Sequence, residues 1–195
     1  VSDKGAISLT GPSRLEQLKR IELAYNRLDR TGNEALQKFN ILQDIKELNG
    51  AGRLNEIGDL IQGDLGVTAL LQFSYISQLK VLDLSESNLT DRSVIAIANS
   101  DKLSGLLALN LSGNRITDLG AGALAGSGHL AQLKKLDLNF NSIGDAGARA
   151  IAESPYLANI ESLKLGQNRV GADGAKALKN SSTLTNLVHP IFGFY

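Results

Sequence analysis

The chain has 195 residues, with 20 basic and 20 acidic side chains, a formal net charge of zero and no cysteine. This length suits one ordinary domain, or a helical cap joined to a short repeat array. The charge balance provides no overall field that favours nucleic acid or an anionic membrane, and the lack of thiols excludes disulfides and thiolate metal clusters.

The N-terminal part of the chain carries apolar side chains at helical spacing. One stripe consists of Leu15, Leu18, Ile21, Tyr25 and Leu28, and a second consists of Leu36, Phe39, Leu42, Ile45 and Leu48. Apolar residues three or four positions apart are typical of an amphipathic helix. We therefore predict an all-helical N-terminal domain over 1–65.

A regular repeat fills the remainder of the chain. Aliphatic residues recur with a constant period in six columns, two of which are Leu82, Leu109, Leu136, Leu163 and Leu84, Leu111, Leu138, Leu165. Such spacing over four units predicts a solenoid. The predicted array spans 66–195: a half repeat at 66–78, four repeats at 79–186, and a truncated repeat or cap at 187–195.

Three segments of the array, LLALNLSGNRI, LKKLDLNFNSI and IESLKLGQNRV, resemble leucine-rich repeats. The long second halves, such as GDAGARAIAESPYL, are similar to the ribonuclease-inhibitor class of cytosolic immune receptors and bacterial effectors. The resemblance implies an α/β solenoid with a curved parallel sheet and helices on its convex side. Curvature is also expected physically, because strands stack about 4.8 Å apart whereas helices need roughly 8–10 Å.

Three columns are predicted to serve the scaffold. The amides of Asn114, Asn141 and Asn168 are expected to pair backbone groups at the turn, which is less well satisfied in the first repeat, where Ser87 stands instead. The glycines Gly120, Gly147 and Gly174 are expected to let the helix approach the strand layer. The carboxylates of Asp91, Asp118 and Asp145 are expected to cap the helices that they begin.

The outward strand positions vary between repeats while the inward ones do not, so the concave face is the predicted protein-binding surface. Phe140 resembles an interface anchor with a polar surround. The candidate binding residues are Asp83, Glu86, Asn110, Ser112, Lys135, Asp137, Asn139, Phe140, Lys164 and Gln167.

The sequence offers no pattern for catalysis or for a cofactor. The glycine run at residues 120–126 could form a dinucleotide turn, but the next repeat has Arg149 in place of Gly122, and no acidic residue is suitably placed. His129 and His189 have no partner at a nucleophile or metal spacing. Basic residues alternate with acidic ones and lack an aromatic platform, so no nucleic acid partner is expected.

These observations predict a non-enzymatic module that binds a protein or peptide and is expected to be a monomer. No apolar run reaches the roughly 18–20 residues of a membrane span, and the lack of cysteine favours the cytoplasm. The resemblance to effectors implies delivery into a host cell. One alternative, implied by a repeat protein of this class that serves the Ran GTPase, is a GTPase-activating or other regulatory protein that uses Arg115 or Arg169. Another is the substrate-recognition part of a larger enzyme.

Overall fold

The computed structural model describes residues 20–22, 47–49, 63–72, 74–188 and 191. From residue 79 onward each repeat consists of a three-residue strand, a turn and an eight-residue helix. The strands are β1 (Arg20–Glu22), β2 (Glu47–Asn49), β3 (Val81–Asp83), β4 (Ala108–Asn110), β5 (Lys135–Asp137) and β6 (Ser162–Lys164). The helices are α1 (Gly63–Leu70), α2 (Asp91–Ala98), α3 (Asp118–Ala125), α4 (Asp145–Ala152) and α5 (Ala172–Lys179). Short 3-10 helices lie at Ser74–Gln78, Asp101–Leu103 and Gly128–Leu130.

The six strands found among the described residues form one parallel sheet in sequential order. The middle residues of the strands pair across the sheet in one row, which runs Ile21, Leu48, Leu82, Leu109, Leu136 and Leu163. The predicted parallel solenoid is therefore confirmed, with the predicted register in the four repeats.

The prediction of helices is wrong at residues 20–22 and 47–49, which are β1 and β2 of the sheet. A short strand with apolar residues three positions apart has the same local spacing as a helix, so periodicity alone misassigned it. The segment LKRIELAYNRL at 18–28 has the apolar and asparagine spacing of LKKLDLNFNSI at 133–143, and this signal was available. The other predicted helical positions up to residue 62 lie outside the described residues, and where the array begins stays a prediction.

The core lies between the strand layer and the helix layer. The inward strand residues Leu109, Leu111, Leu136 and Leu138 are at most 1% exposed, as predicted. Opposite them, Leu124 and Ile151 of α3 and α4 are fully buried. On α3 and α4 this one long aliphatic side chain is enough, because glycine and alanine occupy the other buried positions of these helices.

The predicted asparagine ladder is confirmed. Asn114 is buried, and its Oδ1 accepts hydrogen bonds from the backbone N–H groups of Ser87 at 3.1 Å and Leu89 at 2.9 Å. Its Nδ2 donates to the carbonyls of Leu84 and Leu111 at 3.0 and 2.9 Å. Asn141 and Asn168 repeat this pattern one unit further on each time. Each amide therefore joins two consecutive repeats.

The turn of the first repeat is buried although serine replaces the asparagine. Ser87 is 0% exposed, and its hydroxyl donates to the Ser85 carbonyl at 3.1 Å. The Ser87 carbonyl accepts from the Gly63 N–H at 2.8 Å. The expectation of a less well satisfied turn therefore finds no support in these contacts.

The prediction that each aspartate caps its own helix is wrong, because each carboxylate caps the helix of the following repeat. Asp118, the first residue of α3, accepts from the N–H groups of Gly144 and Gly147 at 2.6 and 2.9 Å. Asp145 does the same for Gly171 and Gly174. The residues that directly precede α4 and α5 are glycines, so the neighbouring carboxylate is the side-chain acceptor there, whereas α3 has both Asp91 of the preceding repeat and its own Thr117 as acceptors.

This aspartate ladder also explains the regular spacing of glycines along the chain. A Cβ at Gly147 would lie 2.7 Å from Oδ1 of Asp118 and 2.8 Å from Cγ2 of Ile143. The prediction that the glycines let the helix approach the strand layer is therefore wrong, because the nearest atoms belong to the preceding helix and to the packed aliphatic side chain before the glycine's own helix, and none belongs to a strand.

The first aspartate of the ladder meets a serine in place of glycine. The Ser93 hydroxyl donates to Oδ1 of Asp64 at 2.6 Å, and the Thr90 N–H donates to the same oxygen at 3.0 Å. Burial alone would raise the pKa of the Asp64 carboxyl, but the hydrogen bonds from Ser93 and Thr90 hold that pKa below its ordinary value. The charged carboxylate therefore stabilises the junction of α1 with α2.

Candidate functional site

A depression of about 410 Å³ lies on the strand face, and side chains of β3 to β6 line it. Five of the ten predicted binding residues lie there: Asp83, Asn110, Lys135, Asp137 and Lys164. These residues alternate with the buried leucines along each strand, because successive side chains of a strand point to opposite faces. We call this surface the strand floor.

Most polar groups of the strand floor are bonded to each other. The Asn110 amide donates to Oδ2 of Asp83 at 3.1 Å, and the Lys164 ammonium lies 3.2 Å from Oδ2 of Asp137. Lys135 is exposed, and its ammonium forms no hydrogen bond or ion pair within the described part of the chain. The strand floor therefore has two carboxylates and two ammoniums, of which Lys164 and Asp137 form an ion pair, whereas Lys135 and Asp83 have no partner of opposite charge there.

The other five predicted residues lie beyond the ends of the strands, in the turns that lead to the helices. These are Glu86, Ser112, Asn139, Phe140 and Gln167. Their assignment to strand positions is therefore wrong, although the backbone hydrogen bonds between repeats continue to Phe140, whose N–H donates to the Gly166 carbonyl at 2.9 Å. The alternation of side chains ends at residue 139, because the chain then turns.

Two of these residues have a structural role that the sequence analysis missed. Oδ1 of Asn139 accepts from the Gly166 N–H of the next repeat at 2.7 Å. The N–H groups of Ser112 and Asn139 donate to the side chains of Asn110 and Asp137, each at 3.0 Å. An Asn or Asp that accepts from the backbone two residues later is a known turn signal, and it was present in the sequence.

Phe140 has an unusual backbone for its size. Its φ is +54°, and its side chain is 62% exposed. The same column holds Glu86 and Gln167 with φ of +53° and +56°, and Gly113, which adopts such angles without cost. An exposed aromatic ring on a left-handed residue is not explained by core packing, and such positions cluster at binding sites.

Arg115 and Arg169 occupy the same position in two turns that are two repeats apart, and both are exposed. Consecutive turns are joined by backbone bonds, of which Ser142 N–H to the Ile116 carbonyl and Arg169 N–H to the Ile143 carbonyl both measure 2.8 Å. The small Ser142 lies between the two arginines in this column. The role of either arginine in GTPase regulation stays a prediction.

No catalytic constellation or metal site is found among the described residues. They contain no group of three or more His, Cys, Asp or Glu side chains that could hold a metal ion. His129 lies exposed in a 3-10 helix, and His189 lies outside the described residues. Within the same part of the chain, no helix has both the length and the apolar character needed to cross a membrane.

Comparison with known proteins identifies the repeats. A family model described as Leucine Rich repeat matches residues 77–98, 105–125, 129–152 and 156–179. Among solved structures, the chain is similar to internalin C2 from Listeria monocytogenes, at 20% identity and a TM-score of 0.49, covering 96% of this chain and 90% of that chain. It is also similar to a second internalin of that species, at 14% identity and a TM-score of 0.29, covering 99% and 95%. A search of curated proteins gives no match.

Proposed function

Because this chain belongs to the leucine-rich repeat family, whose fold is a scaffold for protein interaction, we propose that its strand floor binds a partner protein. The observation that carries the proposal is the contrast between the two faces of the strands. The inward positions are leucine in every repeat and are buried, whereas the outward positions differ between repeats and include the unpaired Lys135. The bonds within the fold account for Asn110 and Asp137 but not for the exposed Lys135, and this supports a role of the face in binding.

The size of the strand floor limits the kind of contact. The four strands β3 to β6 span about 14 Å between the outer two at ordinary strand spacing. A surface this narrow is smaller than the roughly 800 Å² that each partner contributes to a standard interface. The partner therefore either inserts a narrow segment or also contacts the rim formed by the turns.

We also propose that the protein acts in the cytoplasm and performs no chemistry itself. The absence of cysteine supports a reducing compartment. The similarity of the repeats to those of bacterial effectors supports delivery into a host cell.

Site-specific photocrosslinking tests the binding face. A photoreactive amino acid replaces Ser162 on the strand floor or, as a control, the exposed Ala146 on α4. Crosslinks to one partner from residue 162, lost in the Lys135→Glu variant, would support the proposal. Equal yields of the same product from residue 146, or no effect of Lys135→Glu, would contradict it.

A further inference from the structure

The turns that follow the strands form a second exposed surface, distinct from the strand floor. It contains Phe140 in the third repeat, flanked by Arg115 in the second and Arg169 in the fourth. We call these three residues the arginine edge. The prediction from the sequence assigned Phe140 to the strand face and did not group it with the two arginines.

The carboxylates that lie beside the arginine turns bind backbone N–H groups: Asp91 accepts from Thr117 and Asp145 accepts from Gly171, each two residues after an arginine. Neither guanidinium has a hydrogen-bond or ion-pair partner in the part of the chain that the structure describes. Asp118, the acidic residue that follows Arg115, directs Oδ1 to the backbone N–H groups of Gly144 and Gly147 instead. Two exposed guanidiniums with planar donor groups suit carboxylates, which they can bind through paired hydrogen bonds.

The spacing of the arginine edge sets the geometry of what it can bind. The two arginines are separated by two repeats, so their Cα atoms lie about 10 Å apart at the spacing of parallel strands. A segment in the polyproline II conformation advances about 3.1 Å per residue and has three residues per turn, so two carboxylates three positions apart lie on one face and match this distance. The Phe140 ring lies in the intervening repeat, displaced by two residues from the column that holds the arginines, so an apolar side chain between the two carboxylates, on another face of the segment, would meet it.

We propose that the arginine edge binds an acidic segment of the partner protein, in which two carboxylate residues three positions apart flank an apolar side chain. This inference rests on the proposed function and specifies its partner. The segment runs along the array, across the turns. Arg115 and Arg169 bind the carboxylates, and Phe140 packs on the apolar side chain.

A peptide-binding assay tests the proposal without knowledge of the natural partner. The probe is a fluorescein-labelled peptide with Glu-Leu-Leu-Glu between Gly-Ser linkers, and binding to the full chain is followed by fluorescence anisotropy. One control peptide carries Lys in place of both Glu residues, and another carries Ser in place of both Leu residues. We expect both controls to bind at least tenfold more weakly, and the affinity of the probe to fall as salt rises.

Variants of the chain assign the binding to individual residues. Phe140→Gly and the double variant Arg115→Glu/Arg169→Glu should each weaken probe binding at least tenfold. The double variant should now prefer the Lys control peptide. Arg92→Glu changes a charge of the same type at an exposed position of α2 and should leave binding within about twofold of the unmodified chain.

Specific outcomes would overturn the inference. These are no binding of the probe, equal binding of the Lys control peptide to the unmodified chain, and retained binding by either edge variant. A loss of probe binding in Lys135→Glu with no loss in the edge variants would place the acidic segment on the strand floor instead. If crosslinking from residue 162 still captures the partner, only the arginine edge is rejected and the proposed function stands.

Discussion

The substitution Phe140→Gly separates the backbone cost of this residue from the use of its ring. A left-handed conformation costs a non-glycine residue roughly 1–2 kcal/mol, and glycine removes this cost. The ring is 62% exposed, so its loss removes about a third of the roughly 1.5–3 kcal/mol that full burial would contribute. We therefore expect the free energy of unfolding to change by less than about 1 kcal/mol, against about 3–5 kcal/mol for truncating a buried phenylalanine.

Two further variants isolate the backbone contribution. Phe140→Ala loses the ring but keeps the left-handed cost, so Phe140→Gly should be more stable than Phe140→Ala by about 1 kcal/mol. Gln167→Gly relieves the equivalent angle, a φ of +56°, without removing an aromatic ring. Urea unfolding followed by circular dichroism measures all three. If Phe140→Gly lost as much stability as truncation of a buried phenylalanine, the ring would be stabilising the fold, and the argument for binding from its exposure would fail.

Three other predictions concern the ladders between repeats. Asn141→Ala leaves at least three backbone groups without their partner, at about 1–3 kcal/mol for each group that stays buried, so urea unfolding should show a loss of at least about 3 kcal/mol. Gly147→Ala should destabilise the fold by about 1–3 kcal/mol, because the new Cβ meets Asp118. Gly122→Ala, which has open space around its Cβ, should stabilise the fold by about 0.5–1 kcal/mol. Equal melting temperatures of the two variants would refute the steric reason. The lowered pKa of Asp64 means that its contribution is present above the unfolded-state value of 3.8 and is lost as pH falls through the folded-state pKa. Asp64→Asn should therefore reduce the pH dependence of the urea midpoint in that acidic range. If the midpoint varied with pH as in the unmodified chain, the Asp64 carboxylate would not stabilise the junction of α1 with α2.

The sequence predicted the repeat array correctly because each column of the solenoid imposes one requirement that returns in every unit. The buried leucines and Asn114 follow directly from that period. Chemistry that crosses from one repeat to the next was harder to assign, since a recurring Asp118 is equally compatible with capping its own helix or the following one. Only the three-dimensional stacking shows that the acceptor and the donors belong to different units.

Only some residues of the candidate site were placed correctly, because the sequence does not show where a strand ends. Alternation along a strand correctly placed Asp83 and Lys135 on the open face. It failed for Phe140, because the strands end three residues earlier and the chain turns. The strands β1 and β2 were missed because the apolar spacing around one short strand looks like that of a helix. Only alignment with a repeat further along the chain shows that these segments are strands.

The aspartate ladder has a consequence for how such a chain can change its length. In every repeat from the second onward, a glycine N–H donates to the aspartate carboxylate of the preceding repeat, always at the same position of the unit. Insertion or deletion of one whole unit therefore rebuilds the same junction at the seam, with no compensating substitution. Loss of a few residues within a unit would instead break the amide and carboxylate bonds on both sides, so gene duplication in whole units is the route by which this scaffold can grow.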